Sequence, residues 1–220
     1  MNNKKTLILV GSIACFTGCI GDFWLTYVLG EYDPGYSQLN NTMSALGISS
    51  SPVSDIISTW WIILGFLMIL FAFGLGKAFD HNNKFVKIAS WLVVLYGLGE
   101  GLGSGIFKAD HVNNSMTLSA IMHEIMGGIG IAAILVLPLV MRKIIPKTKN
   151  PGFHTISLIV FFVGIFLLAM FLIRFIPQEI NDTSLYKGLW QRLFILDYYL
   201  YMIAIAVIMI KKQQVKPNSY

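Results

Sequence analysis

Residues 54–78 read SDIISTWWIILGFLMILFAFGLGKA, and no charge interrupts the run between Asp55 and Lys77. An α-helix needs about 20 predominantly apolar residues to cross about 30 Å of hydrocarbon. Within hydrocarbon the backbone must satisfy its own hydrogen bonds, and the run lacks the alternating pattern of a barrel strand, so it predicts a transmembrane helix. Five further stretches meet the same condition, at residues 7–29, 86–107, 118–141, 153–175 and 188–210. The expected fold is an all-α integral membrane protein. It is a single six-transmembrane-helix bundle over residues 1–220, with no soluble domain.

Composition points the same way. Hydrophobic residues make up 55% of the chain and charged residues only 12%, with a mean hydropathy of +0.68, which excludes an ordinary soluble domain. There is too much apolar surface for disorder, the 20 glycines keep no triplet period, and 2 cysteines are too few for a disulfide scaffold. Neither a Walker loop, a dinucleotide fingerprint, an internal repeat nor a heptad seam is present.

Basic residues set the expected orientation. Of sixteen, twelve cluster on one side: Lys4, Lys5, Lys77, Lys84, Lys87, Arg142, Lys143, Lys147, Lys149, Lys211, Lys212 and Lys216. Positive residues stay cytoplasmic, so both termini are expected inside, with the connections 30–53, 108–117 and 176–187 facing out. The net charge of +5 therefore reports topology, and no nucleic-acid partner is expected. Lys4-Lys5 before an apolar run resembles a secretory signal, and Phe16-Thr-Gly-Cys19 resembles a lipoprotein cleavage box. Hydrophobicity continues to Leu29, past the 7 to 15 residues of a signal core, so the segment is expected to remain as the first span.

Ionisable groups inside spans are the candidates for function. Asp22, Glu100, Glu124, His123 and Asp197 fall within predicted helices. At 1.5 Å per residue, Asp22 and Glu100 lie about 10 Å below the outer helix ends, His123 about 8 Å and Asp197 about 14 Å. A charged group costs about 2.5 to 3.5 kcal/mol or more in lipid, so these side chains should face an interior cavity. Gly11, Cys15, Gly18 and Asp22 share one face of the first helix, and His123, Gly127 and Gly130 share one of the fourth. Such small-residue stripes mark close helix contacts. The run Gly97-Leu-Gly-Glu-Gly-Leu-Gly-Ser-Gly105 gives two more stripes and reads as packing, as do Cys15 and Cys19 one turn apart.

The first outer connection is long and nearly uncharged. Asp33 as cap, Pro34 as first residue, the apolar face Leu39, Met43 and Leu46, and Gly47 as stop predict a short interfacial helix over the outer mouth.

At these residues the chain resembles a widespread bacterial and archaeal family of six-helix membrane proteins, of the domain-of-unknown-function 998 type. The matching pieces are Tyr32-Asp-Pro-Gly-Tyr-Ser37, Thr42-Met-Ser-Ala-Leu-Gly47 with Ser51-Pro52, Gly105-Ile-Phe-Lys-Ala-Asp110, His123 and Gly188-Leu-Trp-Gln-Arg-Leu193. The resemblance implies a six-helix fold in a prokaryotic plasma membrane and draws attention to Ser44, Asp110, His123 and Arg192. It brings no activity with it. The chain departs from the family pattern at Lys108, where proline is expected, and at Gln191, where an acid is expected.

Three functional readings stay open. In the first, the protein binds, and in one version transports, a lipid-like or amphipathic small molecule through Asp22, Ser44, Arg174, Arg192 and Asp197, membrane lipid being the natural partner. In the second it is an intramembrane hydrolase or transferase. Asp22, Asp110, His111, His123 and Asp197 would then hold a divalent metal such as zinc, with Glu100 or Glu124 as base and Ser44 at the substrate. In the third it is a structural or partner subunit. The topology is testable directly. A cysteine introduced as Ser219→Cys should resist a membrane-impermeant thiol reagent on intact cells while Ser50→Cys reacts; labelling at 219 from outside would overturn the orientation.

Overall fold

The structure, a computed structural model, describes residues 3–80, 82–113, 115–173 and 186–214. Six helices are long and apolar enough to cross a membrane: α1 (Asn3–Gly30), α2 (Ser54–Ala78), α3 (Lys84–Ile106), α4 (Leu118–Ile144), α5 (Pro151–Leu172) and α6 (Lys187–Gln214). Local chemistry sets three of the starts. The side chains of Asn83, Thr117 and Asn150 accept hydrogen bonds from the backbone N–H groups of Phe85, Ala120 and Phe153 at 2.9, 3.1 and 3.0 Å. Each satisfies a donor that a helix start leaves unpaired, and Pro151 suits the first turn of α5 because its missing N–H is one of those orphans. A two-residue hairpin, β1 (His111–Val112) with β2 (Ser115–Met116), joins α3 to α4.

Helices adjacent in sequence pack as neighbours, and α6 closes the ring against α1. The half of the bundle away from the 31–53 loop is filled solidly, with Met68, Phe71, Leu75, Leu137, Met141 and Met209 all buried. Cys15 and Cys19 sit buried in α1 with their sulfurs 4.0 Å apart and unbridged, consistent with packing. The polar half lies at the other end, which we call the loop end because residues 31–53 and 107–117 cover it.

Close approach of α3 to both neighbours shapes that end. A Cβ added at Gly105 would stand 2.6 Å from the Ser58 carbonyl oxygen, and one at Gly97 2.8 Å from that of Gly65, both on α2. On its other side, a Cβ at Gly99 would stand 2.8 Å from the Gly130 nitrogen on α4. The two glycine stripes of α3 thus serve opposite partners. In the same segment, Gly97–Gly103, the helix widens into a π-helical turn. Helix periodicity alone does not reveal such an insertion, which characteristically re-aims a side chain within a helix. Here the residue carried is Glu100.

The interfacial helix expected over residues 34–47 does not form. Beyond Gly30 the chain makes successive turns, and only Met43–Gly47 is helical, as a short 3-10 turn. Gly35 adopts φ +85, outside the helical region. The Asp33 carboxylate accepts a hydrogen bond from the Ser51 hydroxyl at 2.7 Å instead of capping a helix. Met43 and Leu46 then plug into the bundle, 5% and 0% exposed, where an interfacial helix would have rested on lipid headgroups.

Glycine substitutions separate packing from open space. Gly101→Ala drives a methyl group into the Gly65 backbone and should destabilise the bundle by about 1–3 kcal/mol, the usual range for overpacking. At Gly128 an added Cβ meets nothing within 4 Å, so Gly128→Ala should be neutral or stabilising by up to about 1 kcal/mol through helix propensity. Thermal unfolding in detergent checks the pair; equal losses of Tm would contradict the assignment.

Candidate functional site

All six helices and the loop enclose a cavity of about 460 Å³ in the loop-end half of the bundle. Its polar wall comprises Asp22 of α1, Glu100 and Ser104 of α3, His123 and Glu124 of α4, and Ser44 of the loop. Tyr96, Gln191 and Tyr199 add polar atoms, and the rest of the wall is apolar, contributed chiefly by α4 and α5.

Asp22 forms the floor and is 2% exposed. The Trp60 indole donates to one carboxylate oxygen at 3.1 Å, and the Tyr199 hydroxyl donates to the other at 2.8 Å. The Tyr96 hydroxyl donates in turn to that of Tyr199 at 3.1 Å. A carboxylate in a low-dielectric interior needs such donors to offset the loss of water. The network therefore ties α1, α2, α3 and α6 together at one depth.

Glu100 reaches across to α4, where the glycine stripe leaves room. A Cβ at Gly127 would stand 3.2 Å from a Glu100 carboxylate oxygen, and one at Gly130 3.0 Å from its Cγ. The stripe shared by His123, Gly127 and Gly130 is thus the slot in which Glu100 lies.

His123 is 7% exposed, and its Nδ1 lies 2.8 Å from the Phe107 carbonyl oxygen. A carbonyl can only accept, so Nδ1 carries the proton, and in the neutral ring Nε2 presents a lone pair. Among the described residues that nitrogen has no hydrogen-bond partner, and His123 lines the cavity. Ser104 is also deeply buried, 6% exposed, and lines the same cavity. Its hydroxyl has no hydrogen-bond partner among the described residues.

Part of the cavity lining reaches the outside of the bundle. Its rim includes Ile125, 51% exposed, and Leu172, 47% exposed. Gly128 and Ala132, on the same face of α4, are exposed too. These residues stand on the outer surface of α4 and α5, so the lining runs from the buried polar wall to side chains exposed on the outside of the bundle.

The other candidates lie elsewhere. Arg192 donates through Nη1 to the carbonyl oxygens of Gln38, Asn41 and Gly188 at 2.6, 3.0 and 3.1 Å, and through Nη2 to the Tyr36 hydroxyl. It clamps the loop onto α6 and does not line the cavity. Burial pushes the Tyr36 phenol above its ordinary pKa, against the pull of Arg192, so it meets the guanidinium as a neutral hydroxyl. Gln191 takes the Met43 backbone N–H at 2.7 Å, a contact that fixes the same loop from inside the cavity. Lys108 bonds Ser54 and Asp55 at 2.9 and 3.1 Å.

Asp110 holds the Ser49 backbone N–H at 2.7 Å and hydroxyl at 2.6 Å, and His111 is exposed in β1. Neither reaches the cavity. Asp197 lies outside it as well, on the α6 stripe between exposed Leu193 and Leu200, with one buried oxygen that has no partner among the described residues. Arg174 falls outside the described residues. Among the described residues no three His, Cys, Asp or Glu side chains converge closely enough to hold a metal ion, so the five proposed ligands are not brought together.

Tyr96, Ser104, Gln191 and Tyr199 carry no mark in the sequence comparable to an acid in a span. Gln191, Ile195 and Tyr199 do recur at four-residue spacing along one face of α6, a pattern that could have found two of them. Ser104 is hidden within the glycine run.

The Asp110 clamp generates a pH dependence. Its hydrogen bonds from the Ser49 hydroxyl and N–H hold the carboxylate pKa below its ordinary value. The stabilisation is therefore fully present above the ordinary carboxylate pKa, about 3.9, and is lost only as pH falls through the lowered value. Hydrogen exchange at the Ser49 amide should stay protected through that ordinary range and lose protection in Asp110→Ala, which removes the acceptor, at every pH; an unprotected amide at neutral pH would contradict the clamp.

With this geometry in view, the model of a family described as a protein of unknown function, DUF998, matches residues 18–208. The chain belongs to that family. No curated protein and no solved structure matches it.

Proposed function

Taking that membership as the premise, we propose that this multi-pass membrane protein binds a lipid-like or amphipathic small molecule that enters sideways from the bilayer. We further place it in a prokaryotic plasma membrane with both termini cytoplasmic, on the support of the family resemblance and the distribution of basic residues.

One observation carries the binding reading. A single cavity runs from exposed residues on the outside of the bundle at Ile125, Gly128 and Leu172 to a buried polar wall of Asp22, Glu100, Ser104 and His123. An apolar pocket with a few convergent polar groups is the usual form of a small-molecule site. Its volume of about 460 Å³ falls within the range of about 300 to 1,000 Å³ typical of ligand pockets. A soluble polar ligand would gain nothing from the apolar lining of α4 and α5, and a wholly apolar one would leave the polar wall unsatisfied. An amphiphile answers both halves. Arg192, engaged with carbonyl groups, is assigned to holding the loop, and Ser44 and Asp22 stay with the ligand.

Gly128→Trp tests this reading, because Gly128 lines the cavity and a Cβ there meets nothing within 4 Å, so a bulky side chain starts from open space and should obstruct the cavity. Native mass spectrometry of protein extracted from membranes should show a bound amphiphile on the wild type. The variant should keep the same Tm and lose at least tenfold of that adduct. Equal adduct on both proteins, or none on the wild type, would defeat the proposal.

A further inference from the structure

Two cavity side chains are left with unused hydrogen-bonding capacity, and they are of opposite kind. With Nδ1 donating to the Phe107 carbonyl at 2.8 Å, the neutral imidazole offers Nε2 as an acceptor. The Ser104 hydroxyl can donate. Both residues are more than nine-tenths buried, at 7% and 6% exposure, and both line the same cavity. The chain brings them together through α3: Ser104 sits one turn before Phe107, whose carbonyl holds the imidazole.

Polar groups at this depth are almost always satisfied, by protein or by whatever occupies the space beside them. Nothing in the packing forces this arrangement, since the Phe107 contact alone would satisfy a structural histidine through Nδ1 and leave Nε2 packed against carbon. Instead His123 lines a cavity, and among the described residues its Nε2 has no hydrogen-bond partner.

We infer that the head group bound here is a hydroxyl, donating its proton to His123 Nε2 and accepting from the Ser104 hydroxyl, so that the ligand is an amphipathic alcohol. This rests on the amphiphile reading above and adds the identity of its polar end. A hydroxyl is the simplest group that donates and accepts at one atom, and matches the pair without bringing a charge into the membrane interior. An ether of the same tail can accept but cannot donate, and it leaves Nε2 unpaired. Sites built to bond a substrate hydroxyl discriminate strongly against analogues lacking it, for this reason.

The probes are hexadecanol and hexadecyl methyl ether, presented to the full chain in nanodiscs with 15N-labelled histidine. The chain has 4 histidines, and the His123 signal is assigned by its absence in His123→Gln. Hexadecanol should shift the Nε2 resonance from that of a free imine nitrogen toward that of a hydrogen-bonded one, and should bind at least tenfold more tightly than the ether. Ser104→Ala removes the donor that both ligand oxygens accept from, so it should weaken alcohol and ether alike while the alcohol keeps its preference over the ether through Nε2, which keeps the test sound if His123→Gln folds poorly. Ether and alcohol binding equally, with Nε2 unmoved, would overturn the hydroxyl assignment and leave the amphiphile reading standing. If neither binds while Gly128→Trp still removes a native adduct, the alcohol inference alone fails; if no adduct exists either, both fail.

Discussion

The structure depends on how closely α3 can approach the helices on either side of it. Without side chains at Gly97, Gly101 and Gly105 the backbone of α3 meets that of α2, and without them at Gly99 and Gly130 it meets that of α4. Packing of this kind is the main source of helix association in a bilayer, where apolar surface gains little by leaving lipid for protein. The same glycine-rich segment is wound as a π-helical turn, so the residues that bring three helices together also set the direction of Glu100. The carboxylate then lies in the slot that Gly127 and Gly130 leave on α4.

A second constraint follows from burial. A polar atom kept at this depth needs a partner, and for Asp22 the bundle supplies partners that cross between helices. Trp60 and Tyr199 donate to Asp22, and Tyr96 donates to Tyr199, so one acid braces four helices. At the loop end the same economy governs the chain from residue 31 to 53, which is held by Asp110 at Ser49, Arg192 at Gln38 and Asn41, and Gln191 at Met43. Between the braced floor and the fastened loop lies the cavity. Its polar groups are placed by rigid elements, which is what a binding site requires of its framework.

Much of this was legible in the sequence. Span count and boundaries follow from apolar runs, because hydrocarbon thickness fixes helix length. The inward direction of Asp22 and His123 follows from the small residues that share their faces, and the two α3 stripes from glycine spacing. Other features were not legible. A π-helical turn breaks the periodicity on which face assignments rest. The loop from 31 to 53 carried apolar spacing that suited a helix, yet Gly35 and the Asp33–Ser51 hydrogen bond turn it another way. Asp197 matched the cavity residues in approximate depth, but depth does not fix azimuth, and it sits between exposed Leu193 and Leu200. Arg192 carried a charge that suggested a ligand, while the carbonyl groups that engage it lie about 150 residues away in sequence.

The central claim is that the cavity receives a molecule from the bilayer between α4 and α5. A cryo-electron-microscopy map of the protein in nanodiscs formed from its native membrane tests it most directly. The account predicts an elongated density that starts beside His123 and Ser104, passes Gly128 and leaves the protein between α4 and α5. A map in which side chains close that path, with only separate water-sized peaks beside Asp22 and Glu100, would contradict it.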